Sequence, residues 1–268
     1  MDVFLNGDEL YGDNLSIDQI QVWYEEEKEA YADLYGTEEK DALHGFDIIN
    51  ELYGYKYIRK IPSFKKTLGL GSSWGYEFLP IIEKIEELYI IEPSSQTISK
   101  ELGNVKPIYS KPESSGVISF PDNTFDLICA FSVLHHIPNV SFVLTELLRV
   151  LAPGGYLLLR EPIISMGNWR EKRPGLTKHE RGIPEKIFAD IFNKENIQVI
   201  EKHYHFTMTS FFRRIFKNSA FFNSKVYYIL DKYLSKILAF NIHYHARNKL
   251  ERCAPQSIFY VLRKPQEK

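Results

Sequence analysis

The sequence predicts a doubly wound α/β domain of the Rossmann type, and three observations predict it. From Lys66 onward, short apolar runs alternate with amphipathic stretches, the pattern of βαβ units on a parallel sheet. The first run empties into a glycine-rich turn, Gly69-Leu70-Gly71-Ser72-Ser73-Trp74-Gly75. The second ends on an acidic residue, Glu92, near the ~20-residue spacing at which such folds meet a ribose.

The elements follow in order. Ser16 is placed to cap a helix over 16–34, with Ile17, Ile20, Val22, Trp23, Ala30 and Leu34 as its apolar face. Ala42, Phe46, Ile49 and Leu52 recur at helical spacing over 38–53, and Pro62 then breaks the chain. Residues 1–62 therefore read as an N-terminal helical cap and 63–268 as the main domain. Strands are expected at 66–70, 87–91, 105–109, 125–130, 155–160, 197–204 and 257–263. Helices are expected at 75–85, 95–102, 139–151 and 184–194. Leu151-Ala152-Pro153-Gly154-Gly155 reads as a helix end followed by a strand start. A polar, arginine-rich connection at 162–183 and a basic, aromatic insertion at 209–254 interrupt the alternation. Long connections inside a compact domain tend to be functional.

Composition narrows the classes. A chain of 268 residues can bury a core without disulfides or metals. Its two cysteines, Cys129 and Cys253, lie far apart and outside any metal-ligand spacing, so neither a disulfide framework nor a metal site is expected. A reducing cytoplasm fits best. The chain shows no basic-then-apolar leader and no apolar run of the ~20 residues that span a bilayer. A net charge of -2 argues against general nucleic-acid binding, yet it averages an acidic stretch at 1–55 with a basic one at 210–252.

The glycine turn leads into a helix start, whose free N–H groups and positive dipole end suit a carboxylate-bearing or anionic ligand. A plain strand-to-helix turn would carry the same glycines. Glu92 can hold two hydroxyls at once, or serve as a solvated strand-end charge. Three later blocks narrow the choice: Ser119-Phe120-Pro121-Asp122-Asn123-Thr124-Phe125-Asp126-Leu127-Ile128, then Cys129-Ala130-Phe131-Ser132-Val133-Leu134-His135-His136-Ile137-Pro138, then Leu147-Leu148-Arg149-Val150-Leu151-Ala152-Pro153-Gly154-Gly155-Tyr156. In order and spacing over residues 65–161 they resemble the class I S-adenosylmethionine (SAM)-dependent methyltransferases of the type 11 group. These blocks set a nicotinamide oxidoreductase aside. The resemblance implies a mostly parallel seven-stranded sheet with an antiparallel strand near the C-terminus, and SAM as cofactor. By the same resemblance Gly71, Ser72, Ser73 and Gly75 would line the methionine half of SAM. Glu92 would hold the ribose, with Pro93 beside the adenine. Glu113 and Ser114 would lie near a polar adenine contact, and Ala130 and Phe131 would back the sulfonium. The sequence departs from the family where Gly69 replaces an acidic residue and Ser73 replaces the middle glycine. Those departures leave a non-catalytic SAM-fold binding protein as the alternative.

On the acceptor side, His136 and Glu161 are the candidate general bases, each equally at home as a packing or helix-starting residue. Arg170, His179 and Arg181 are the candidate substrate contacts, the arginines offering planar forks to carboxylates or phosphates. The connection resembles that of bacterial methyltransferases of surface-polysaccharide biosynthesis, which implies a small polar acceptor such as a sugar or glycan hydroxyl. In the insertion, Val226, Ile229, Leu230, Tyr233, Leu234, Ile237 and Leu238 form a helical apolar stripe. It is expected to pack as a lid on the domain or on the acidic N-terminal helices. The other reading is a peripheral contact with the inner membrane face, suited to a lipid-linked glycan. Nucleic acid is not expected as a partner.

Overall fold

The computed structural model describes residues 2–34, 47–173, 175–207 and 224–266, with side chains omitted at 28–34. A seven-stranded sheet carries β1 (Phe64–Leu70), β2 (Ile85–Ile91), β3 (Ile108–Ser110), β4 (Phe125–Phe131), β5 (Leu151–Pro162), β6 (Gln198–His205) and β7 (Ser257–Arg263). Their spatial order is 3-2-1-4-5-7-6, and β7 runs antiparallel to both β5 and β6. The order reverses at β1, so the carboxyl ends of β1 and β4 flank the crevice where doubly wound sheets bind ligands.

Residues two apart along a strand share a face, and the strands feed two cores accordingly. Leu68, Leu70, Ile128, Leu157 and Leu159 pack under α5 (Val140–Val150) and α6 (Glu185–Lys194). Leu127, Cys129, Leu158 and Phe259 face Phe78 and the helical stretch of α3 (Asp47–Asn50), a π turn and α4 (Lys56–Ile58). Before these stand α1 (Val3–Asn6) and α2 (Ile17–Leu34). Residues 38–46 of the expected second helix fall outside the described residues.

Four expectations are corrected. The helix at 75–85 is a 3-10 helix, Tyr76–Lys84, with Pro80 inside it; proline lacks the N–H an α-helical turn requires. No helix forms over 95–102, because local polar groups claim the backbone. Ser94 N donates to Glu92 Oε1 and Gln96 N to Ser94 Oγ, while Ser99 N donates to Tyr109 Oη and Ser99 Oγ to the Trp74 carbonyl. The fifth strand starts at Leu151, directly at the end of α5, and absorbs Pro153-Gly154-Gly155 where its register against β4 shifts.

The fourth correction concerns α7 (Lys225–Leu238), whose apolar stripe points outward. Val226, Leu230, Tyr233 and Ile237 are 64%, 60%, 64% and 67% exposed. The buried side of α7 holds Tyr227, Tyr228, Asp231 and Ser235 instead. Phe206 N donates to Asp231 Oδ2 at 2.6 Å, Thr207 and Ser235 share a hydroxyl bond at 2.7 Å, and Tyr53 Oη donates to the Tyr228 carbonyl. Polar pairing therefore outweighs apolar burial in setting this helix's rotation. The insertion's Phe211, Phe212, Phe216, Phe221 and Phe222 lie outside the described residues.

Candidate functional site

The turn after β1 is held by backbone geometry. Gly71 and Gly75 have positive φ angles of 62° and 76°, and Ser73 shares the left-handed region at 48°. That conformation costs a residue with a Cβ about 1–2 kcal/mol. Two contacts hold Ser73 in it: its N–H donates to Glu92 Oε2 at 3.0 Å, and its carbonyl accepts from Tyr109 Oη at 3.0 Å. Gly71 approaches the turn after β4 so closely that an added Cβ would sit 2.4 Å from Val133 Cγ2.

Glu92 is buried, and desolvation pushes its carboxyl above the usual range against the pull of the Ser94 and Ser73 N–H groups. Each of its oxygens accepts one backbone N–H and retains a second lone pair for a hydroxyl. Nearby, Ser72 Oγ, Ser73 Oγ and Thr97 Oγ1 are buried without a hydrogen-bond partner. Buried polar groups are ordinarily satisfied, so these hydroxyls and Glu92 together fit a polar ligand such as the ribosyl-methionine portion of SAM.

Gly69 has no room for the family's acidic side chain. A Cβ there would lie 2.3 Å from Ser72 Oγ and 2.9 Å from Phe78 Cε2. A carboxyl stands eight residues on instead, at Glu77. Desolvation raises it to about 7, with Glu92 adding to the rise; the nearby Ser72 hydroxyl, which closes no hydrogen bond to it, and the Arg160 guanidinium pull it down. Arg160, buried on β5, is itself lowered to about 10 by desolvation, donates to Asn50 Oδ1 at 2.9 Å and lies 5.3 Å over the Phe131 ring. Sequence reasoning missed Glu77 and Arg160; the acidic residue lost at 69 and regained beyond the glycines was the available signal.

Of the other residues expected on the cofactor side, Pro93, Glu113 and Ser114 lie exposed at the carboxyl ends of β2 and β3. Phe131 faces Arg160 and Tyr55. Ala130 is fully buried in the core beneath α5 and turns away from the Phe131 face.

The turn after β4 carries the histidines. Glu161, fully buried, accepts from Val133 N and Leu134 N through Oε1 and meets His135 Nδ1 through Oε2, all at 2.8 Å. It anchors this turn, and its two oxygens are engaged from beneath. His136 Nδ1 lies 3.5 Å from Glu27 Oε2. Burial, then His135, lowers the His136 pKa against the pull of Glu27 and Glu180. Helix α2 docks here, with Trp23 Nε1 donating to the His136 carbonyl at 2.9 Å.

The arginine forks of the 162–183 connection do not converge on an anion site, which corrects the expectation for Arg181 and Arg170. Arg181 is buried and donates to the carbonyls of Tyr11, His135 and Pro138. Arg173 likewise donates to the carbonyls of Met166, Thr177 and Lys178, and Arg170 pairs with Asp2 at 2.6 Å. His179 stacks on Trp23 at 4.2 Å and is bonded to Glu26. What converges is acidic: Glu27 from α2 meets Glu161 and Glu180 around the histidine turn, while Glu26 pairs with Lys178 and His179 of the connection. An open groove of about 310 Å³ adjoins it, lined by Tyr11, Asp18, Gln19, Trp23, Glu26 and His179.

Sheet order, glycine turn, strand-end glutamate and histidine turn define a class I, Rossmann-like SAM-dependent methyltransferase fold. Residues 68–159 match the methyltransferase domain family. This part is similar to the demethylmenaquinone methyltransferase of Geobacillus sp. strain WCH70, 32% identical over 91 residues that cover 34% of this chain and 35% of the relative. It is also similar to the ubiquinone/menaquinone biosynthesis C-methyltransferase UbiE of Hydrogenovibrio crunogenus, 38% identical over 60 residues, 22% of each chain. The matches thus span about a third or less of these relatives. Among solved structures, a candidate methyltransferase from Bacillus halodurans superposes with a TM-score of 0.53 at 15% identity, over 81% of this chain and 100% of that one. The [4+2]-cyclase SpnF superposes with a TM-score of 0.50 at 14% identity, over 82% of this chain and 81% of that one. At such identities the likeness is one of fold.

Proposed function

We propose that the chain transfers a methyl group from SAM to a hydroxyl of a small polar acceptor. The observation that carries this reading is the contact between two turns: the Ser73–Glu92 turn, with its unpartnered hydroxyls, packs through Gly71 against the turn bearing His135 and His136. SAM supplies an electrophilic methyl with its own leaving group, so the protein's work is positioning. The free lone pairs of Glu92 accept the ribose hydroxyls. Glu77 offers, from the 3-10 helix, the carboxylate that Gly69 cannot, and holds the ammonium end. His136 faces the acceptor side with Glu27 behind it.

The acceptor elements, α2 and the 162–183 connection, lie outside the matched stretch, so the quinone substrates in the relatives' names say little about this chain. The acidic surround disfavours an anionic acceptor and favours a neutral or cationic one. The groove beside α2 sets Asp18, Gln19 and Glu26 among the aromatic and apolar side chains of Tyr11, Leu15, Val22 and Trp23, a mixture that supports a sugar or glycan hydroxyl. No helix among the described residues is long and apolar enough to cross a membrane. The outward stripe of α7, with Lys225, Lys232 and Lys236 on the same helix, supports a peripheral membrane contact and a lipid-linked acceptor. Calorimetric titration with SAM and with S-adenosylhomocysteine tests the cofactor assignment; saturable binding of both is expected, and no heat from either ends it.

A further inference from the structure

We infer that His135, His136 and Glu180 form a binding site for a divalent first-row transition cation, Zn²⁺ in the first instance. One ligand atom from each residue lies within 4.8 Å of the others. The linear sequence hides the site, since Glu180 stands in the 162–183 connection and the histidines in the turn after β4.

Three observations carry the inference. First, His135 is oriented as metal-ligating histidines are: its Nδ1 meets the buried Glu161 carboxylate at 2.8 Å, the carboxylate–histidine pairing that fixes a ring for coordination through the other nitrogen. Second, that other nitrogen, Nε2, lies 3.7 Å from Glu180 Oε1. This is too long for a hydrogen bond, and close to the roughly 3.4 Å that separates two atoms bound tetrahedrally to one zinc at ~2.0–2.1 Å. Third, a further buried carboxylate turns to the same place. Glu27, 2% exposed, presents Oε2 towards the histidines with no hydrogen-bond partner. The nearby guanidiniums of Arg181 and Arg173 direct their hydrogen bonds to carbonyl oxygens.

Two imidazoles and one carboxylate are borderline ligands that suit zinc and its first-row neighbours rather than magnesium or calcium. Three protein ligands leave a position for water or for an oxygen of the acceptor, the arrangement of catalytic rather than structural zinc. That last role rests on the methyl-transfer reading; the metal site itself does not.

The test uses the full chain stripped of metal, titrated with Zn²⁺ by calorimetry and with Co²⁺ by visible spectroscopy. Uptake of one equivalent is expected, with the visible bands of a four- or five-coordinate cobalt site. Glu180→Gln keeps an oxygen for its contact with Thr177 N and should weaken Zn²⁺ uptake at least tenfold, with S-adenosylhomocysteine affinity and thermal melt unchanged. No saturable uptake at micromolar Zn²⁺, or an E180Q variant that binds as the unaltered chain does, overturns the site. If E180Q folds poorly, the cobalt titration of the unaltered chain decides alone, and absence of the bands overturns it. Binding of S-adenosylhomocysteine, measured in parallel, reports separately on the methyl-transfer reading.

Discussion

Glu77→Gln isolates the carboxyl that stands in for the one missing at Gly69. Desolvation raises the pKa of Glu77 from 4.5 to about 7, and each tenfold loss of acidity is worth about 1.4 kcal/mol between protonation states. The folded chain therefore holds a proton on Glu77 between those two values while the unfolded chain has released it. Stability falls as pH rises through this window. Below 4.5 both states are protonated and the penalty vanishes; above about 7 both are ionised and it reaches roughly 3 kcal/mol. Glutamine carries no such penalty. Urea unfolding of the unaltered chain and E77Q, at unit steps from pH 5 to 9, should give curves whose separation opens in favour of E77Q and levels off above pH 7. Other titrating groups cancel in the difference. A separation that does not change with pH refutes the reasoning, because Glu77 would then have its ordinary pKa. Saturating S-adenosylhomocysteine, by placing an ammonium beside an ionised Glu77, should narrow the separation at pH 8 and release protons on binding near pH 6.5.

Glu92→Ala should weaken SAM binding by about 1–3 kcal/mol in calorimetry, the cost of leaving buried polar partners unpaired; unchanged affinity removes Glu92 from the cofactor site. Arg181→Met orphans the Tyr11, His135 and Pro138 carbonyls and should destabilise the fold by at least about 3 kcal/mol in denaturant. A variant of normal stability that has lost acceptor affinity would return Arg181 to the substrate. Leu230→Asp with Ile237→Asp alters two outward positions of α7 and should reduce co-sedimentation with anionic vesicles while leaving the melt nearly unchanged. Equal sedimentation of both proteins assigns the stripe to something other than lipid.

Periodicity made the sheet legible. Adjacent strand residues alternate between the cores, Leu127, Cys129 and Phe131 facing one and Ile128 and Ala130 the other, and that alternation is written directly in the sequence. The same reading failed where side chains outcompete pattern. Residues 94–99 spend their backbone groups on serine and tyrosine hydroxyls rather than on a helix. In α7, buried Asp231 and Ser235 bond to the end of β6, and an apolar stripe that should have marked the inner face became the outer one.

The parts assigned to the cofactor are local, each turn following its own strand end, so order along the chain is order in space. The part assigned to the acceptor is assembled across more than a hundred residues of separation, with Glu27 brought from α2 to the histidine turn by the Trp23 and His179 contacts. Charge counting along the chain flagged an acidic N-terminal stretch but could not say that one of its glutamates, Glu27, turns inward. The arginines misled in the opposite sense. A guanidinium fork reads in sequence as a clamp for an external anion, yet backbone carbonyls compete for the same donors, and in a long connection with little regular structure many carbonyls need them. Arg173 and Arg181 meet that internal demand, and this leaves carboxylates and imidazoles around the histidine turn. On the proposed function, surroundings of that composition favour a hydroxyl, an amine or a metal ion over a phosphate.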